Sequence, residues 1–177
     1  MRMRRKIFIF VLLAGVLGVK AQGPDSAEVL QEEKYQKRIE KEYLFGVYIP
    51  ADLADAINQL NQLTSKEARE SFAARPEAEA VRKLHFSFGR WMIYNWGFYE
   101  GSRLSHFLKE EFDLFYPDDQ ARFIMIAFHR VLNQKPLDLE ELAEKFIEYR
   151  RKEWAERVEK GQILYEEKVD TIPPGKG

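Results

Sequence analysis

Between Ile49 and Trp154 the apolar residues recur three and four positions apart in short runs, and each run is punctuated by a proline or a residue able to cap a helix. That spacing puts successive side chains on one face of an α-helix. Frequent punctuation rules out long rods, so the chain is expected to fold as an all-α, irregular bundle of about six helices around one core. Leu53, Ile57 and Leu60 form the first stripe, opened by Ile49-Pro50, with Asp52 and Asp55 complementing the positive end of the helix dipole. Thr64 and Glu67 have capping-box spacing before a short helix to Phe72, and Pro76 opens a helix whose inward face is Val81, Leu84 and Phe88. Helix resumes at Ser102 with Leu104, Phe107 and Leu108. Another begins after Tyr116-Pro117 with the stripe Ile124, Ala127, Phe128 and Val131. Asp138 and Glu141 repeat the cap spacing before a long helix carrying Leu139, Leu142, Phe146 and Trp154, and Ile163-Leu164-Tyr165 reads as a short strand.

The core must form without covalent help, because the chain has no cysteine. That matters more if the protein is exported, since domains outside the cytoplasm are often stapled by disulfides. Export is the expectation from the first residues: Arg2, Arg4, Arg5 and Lys6 precede an apolar stretch from Ile7 to Val19, then Val19-Lys20-Ala21. This is the three-part layout of a signal peptide, with cleavage expected after Ala21. The stretch is shorter than the roughly 20 residues that span a bilayer. With no cysteine for a lipid anchor, a soluble periplasmic or secreted protein is expected, with no membrane insertion after cleavage. Removing the five basic residues of 1–21 from the chain's 28 leaves 23 against 29 acidic, a net charge of −6. Such a balance disfavours nucleic acid and anionic membrane surfaces as partners. The organisation expected is a signal peptide over 1–21, a charged helical arm or linker over 22–47, a helical domain over 48–160 and a loose tail over 161–177.

The least ordinary stretch runs from His85 to Leu108, where Phe86, Phe88, Trp91, Tyr94, Trp96, Phe98 and Tyr99 crowd around Gly89, Gly97 and Gly101. Aromatics at helical spacing face a core in most proteins. The functional reading is that Trp91, Trp96 and Tyr99, with Asn95 and Arg103 beside them, line a groove for a peptide, glycan or partner protein, since Trp, Tyr and Arg dominate interface energetics. Asp118 and Asp119 follow a proline and are expected to serve the first turn of their helix, and they join Trp91, Asn95, Trp96, Tyr99 and Arg103 as candidate binding residues. On that helix His129 lies about 15 Å away at 1.5 Å per residue, too far to share a site. The three histidines, His85, His106 and His129, form no HExxH pattern, and only His106 and Glu110 stand four apart. No nucleophile elbow or Gly-rich phosphate loop occurs. No cofactor and no metal are therefore expected.

Tyr48-Ile49-Pro50, His85-Phe86-Ser87-Phe88-Gly89-Arg90-Trp91, Asn95-Trp96-Gly97, Gly101-Ser102-Arg103-Leu104, Tyr116-Pro117-Asp118-Asp119 and His129-Arg130-Val131-Leu132-Asn133 occur in that order. From about Tyr48 to Trp154 the chain thereby resembles a bacterial domain-of-unknown-function family, DUF6794. The resemblance implies a single compact helical domain, assigns no activity, and marks Trp96-Gly97 and Pro117-Asp118-Asp119 as signature positions. Relatives often carry Arg-Asn where this chain has Ile93-Tyr94, and His where it has Tyr116. Those departures weaken any catalytic role shared by the family. The leading expectation is a non-enzymatic interaction domain for an envelope protein or peptide. The alternatives are an envelope hydrolase or metal-dependent enzyme built on His85, His106, His129, Asp118 or Asp119, and a small-ligand or glycan binder using Trp91 and Trp96.

Overall fold

The computed structural model describes residues 26–170; the expected signal peptide and the end of the expected tail, 171–177, lie outside the described residues. Eight α-helices follow in order: α1 (Ser26–Ile39), α2 (Leu53–Leu63), α3 (Lys66–Ala73), α4 (Glu77–Leu84), α5 (Arg90–Asn95), α6 (Arg103–Phe112), α7 (Pro117–Leu132) and α8 (Leu139–Asp170). A π-helical turn, His85–Gly89, joins α4 to α5 without a break. The all-α bundle expected from the apolar spacing is the architecture found.

Helix α7 is the axis of the bundle. It packs against α2, α3, α4, α5, α6 and α8. Phe123, Ile124, Met125, Ala127 and Phe128 are all buried, more than one stripe of the helix. Phe128 stacks on Phe72 of α3 at 6.0 Å and lies 6.5 Å from Phe88. Each large apolar side chain removed from water in this way contributes about 1.5–3 kcal/mol before entropic costs. These contacts do the work that disulfides would do elsewhere.

Several boundaries differ from the sequence expectation, each for a local reason. Helix α2 begins at Leu53, not at Pro50, because the Asp52 side chain accepts the Asp55 N–H at 2.8 Å and so becomes the N-cap. Asp55 turns back to accept from the Ala51 N–H and the Tyr48 hydroxyl. The cap of α3 is Ser65, whose Oγ accepts from Ala68 N–H, while Thr64 terminates α2 by donating its hydroxyl to the Leu60 carbonyl. Asp138 takes a left-handed backbone, φ 44°, and offers its carbonyl to Leu142 N–H in place of a side-chain cap. Helix α8 continues to Asp170, so Ile163-Leu164-Tyr165 is helical and not a strand.

A small antiparallel hairpin, β1 (Tyr43–Leu44) and β2 (Val47–Tyr48), was not anticipated. Its turn residues Phe45 and Gly46 both take positive φ, 52° and 82°, the backbone that two-residue hairpin turns require. The hairpin reverses the chain after α1 and lays that helix against α6. The charged arm is therefore a docked helix on one face and solvated on the other.

Candidate functional site

The aromatic and glycine-rich block divides between core and surface. Trp96 is only 1% exposed and packs edge-on to Trp91 at 5.7 Å and against Phe98 at 6.4 Å. A ring enclosed in this way cannot act as an open stacking platform, so the glycan-binding expectation loses one of its two tryptophans. Trp91 is half-buried against the core. Asn95 donates to the Trp91 carbonyl at 2.8 Å, closing its own helical turn. Arg103 donates to the Ile49 carbonyl at 2.6 Å and lies 5.1 Å over the Tyr48 ring, which anchors the hairpin to α6. Tyr94 and Tyr99 remain exposed, in contact with each other at 5.8 Å.

Gly97 and Gly101 explain why this block has to be glycine-rich. Both have positive φ, 67° and 87°. A Cβ on Gly97 would sit 2.9 Å from Arg38 Nη2, and one on Gly101 would sit 2.4 Å from the Tyr35 ring. Two residues of α1 are thus seated directly on the loop between α5 and α6. Arg38 Nε donates to the Gly101 carbonyl at 2.9 Å and its guanidinium lies 3.6 Å from Glu100. The Tyr35 hydroxyl meets His106 Nδ1 at 2.9 Å. Burial, with Glu110 and Glu32 nearby, pushes the Tyr35 phenol above its ordinary range. Gly101→Ala is expected to lever Tyr35 off the loop and strain a left-handed residue, lowering stability by about 1–3 kcal/mol. Hydrogen exchange would show faster exchange in α1 with α7 unchanged.

Between the seated helix and the body runs a groove of about 990 Å³. Leu30 and Tyr35 of α1 form one wall, Tyr99 and Lys109 another, and Phe115 and Gln120 the far side. Gln120 is 97% buried: its Nε2 donates to the Leu114 carbonyl at 2.7 Å and the Ser105 carbonyl at 3.2 Å, while its Oε1 has no hydrogen-bond partner among the described residues. A buried amide oxygen without a donor costs about 1–3 kcal/mol. Ser105 is held nearby by the capping box of α6, in which it exchanges hydrogen bonds with Ser102.

The acidic pair and the histidines do not converge on one centre. Asp118 and Asp119 do occupy the first turn of α7, yet their carboxylates cap nothing and reach to other helices. Asp118 meets His85 Nε2 at 2.9 Å. Asp119, almost fully buried, is held by both Arg150 Nε at 2.6 Å and Nη2 at 2.9 Å, while the same guanidinium stacks 4.3 Å over Tyr116. Arg150 and Arg157 in turn hold the Glu153 carboxyl below its usual range. His129 is engaged elsewhere, with Nε2 donating to the Arg75 carbonyl at 2.9 Å. His106 is 3.9 Å from Glu110 and is occupied by Tyr35. Among the described residues no three His, Asp or Glu side chains gather where they could hold a metal ion.

The His85–Asp118 contact is the one convergence within this set, with the imidazole buried and the carboxylate 44% exposed. With Nε2 on the carboxylate, the other ring nitrogen, Nδ1, is buried and has no hydrogen-bond partner among the described residues. A Cβ added to Gly89 would lie 2.8 Å from that nitrogen, so its surroundings are the next helical turn. The pair ties the π-helical turn to α7.

Sequence reasoning placed Tyr99 in a groove but missed Tyr35, Lys109, Phe115 and Gln120. The available signal was Gly101, whose need for close backbone approach implied an element seated on it.

Residues 49–132 match a family model described as Domain of unknown function (DUF6794). No curated protein and no solved structure matches the chain. No described helix is long and apolar enough to cross a membrane.

Proposed function

For a chain that belongs, through residues 49–132, to the DUF6794 family, we propose a non-enzymatic, exported interaction module that holds a peptide segment of an envelope protein in the groove beneath α1. The observation carrying this reading is the groove itself, lined by the exposed Leu30, Tyr99 and Phe115. A peptide supplies side chains for the rings and backbone carbonyls for Lys109. Leu30, Tyr99 and Phe115 are exposed along the groove at 51%, 52% and 58%. Lys109 lies 5.5 Å over Phe115 and 5.8 Å over Tyr35, adding a cation at the rim.

The test is selection of peptides from a displayed random library on the wild-type protein, followed by anisotropy titration of the selected peptide. The double variant Tyr99→Ala/Phe115→Ala is expected to weaken binding by about tenfold to a hundredfold, the range for aromatic anchors. Its melting temperature should stay close to wild type, because both rings are exposed. Selected peptides that bind the double variant as well as wild type would sink the proposal, as would a library that yields none.

A further inference from the structure

On the face made by α4, α7 and α8 there is a second trough, formed by two hollows of about 380 and 370 Å³ that share Glu77, Arg122 and Ile126. Arg122 and Ile126 stand one turn apart on α7 and form its floor. Val81 and Phe86 wall it on the α4 side, and Phe146 and Tyr149 on the α8 side. Phe86 is 82% exposed, held outward at the π-helical turn while His85 and Gly89 of the same turn are buried.

The charges in this trough are unevenly satisfied. Arg130 donates to Glu77 and to the Leu137 carbonyl, so that carboxylate is already engaged. Lys145 pairs with Glu141 at 2.8 Å. Arg122, half-buried at the centre, and Arg82, at the edge, have no hydrogen-bond or ion-pair partner among the described residues. A guanidinium set among apolar side chains is suited to a carboxylate that can take two of its N–H groups at once.

We propose that this trough docks an acidic amphipathic helix of a partner protein. The walls are side chains of helices whose backbone groups are bonded internally, so they present no backbone ladder to an extended strand. A helix, which satisfies its own backbone, fits such a surface. Its apolar residues three and four apart fill the two hollows on either side of Ile126, and a carboxylate between them meets Arg122. This site stands independently of the groove beneath α1.

The probe is a fluorescein-labelled peptide of roughly 16 residues, long enough to hold marginal helix, with leucines three and four apart, glutamates flanking them and an alanine background. Saturable anisotropy that weakens with added salt is expected for the intact protein. Arg122→Gln and Phe86→Ala should each weaken binding at least about tenfold, Tyr99→Ala should leave it unchanged, and a peptide with lysine for glutamate should not bind. Absence of saturation at millimolar peptide would overturn the proposal. Equal binding by wild type and Arg122→Gln would also overturn it.

Discussion

Arg150→Met is expected to lower the unfolding free energy by about 3 kcal/mol, the cost of leaving a buried carboxylate without its partner. Asp119 is 3% exposed at its side chain and receives two of the Arg150 N–H groups. Methionine keeps the aliphatic length against Tyr116 but offers no donor. Each kcal/mol moves the melting temperature by roughly 2–4 °C at this chain length, so thermal unfolding should report a fall of several degrees. Adding Asp119→Leu should recover much of the loss, because two apolar residues replace a buried ion pair at little cost. A single variant melting with wild type would show that the pair contributes nothing, and that α8 is held to α7 by Leu142, Ala143 and Phe146 alone.

Trp96→Ala is expected to cost about 3–5 kcal/mol, the range for removing a fully buried large aromatic. The ring is enclosed by Trp91, Phe98 and the buried chain around Met92 and Ile93. It also ends α5, its N–H bonding back to the Met92 carbonyl, so the loop that seats α1 starts from it. Chemical denaturation would measure the loss. A change under about 1 kcal/mol would contradict the buried placement and restore Trp96 as a surface platform. The same variant should loosen α1, which ties core packing to the groove.

What could be read from the residue order, and what could not, follows from the range of each signal. Apolar spacing reports which face of a helix is inward, and it located the stripes of α2, α4, α6 and α7, except that Val131 at the end of α7 is exposed. Caps are decided by single hydrogen bonds. A one-residue difference between Thr64 and Ser65, or the choice of Asp52 over Pro50, lies below the resolution of pattern. Phe45-Gly46 is a weaker turn signal than Asn-Gly, and each strand has only two residues, so the hairpin left no alternation to detect. The site itself depends on contacts between distant positions: Tyr35 with His106, 71 residues apart, and Asp118 with His85, 33 apart. Periodicity names the face of each helix but not the neighbour it meets. For that reason Asp118 and Asp119 read as caps, when they are links to the π-helical turn and to α8.

The central claim is that a peptide lies in the groove beneath α1, against Tyr99 and Phe115. The direct measurement is a titration of the isotopically labelled protein with a library-selected peptide, following the Gln120 side-chain amide and the backbone amides of Tyr99 and Phe115 by nuclear magnetic resonance. The account predicts saturable shifts at all three positions with one dissociation constant, and none at Phe86 or Tyr149. Shifts confined to α4, α7 and α8, with the Gln120 amide unmoved, would contradict it.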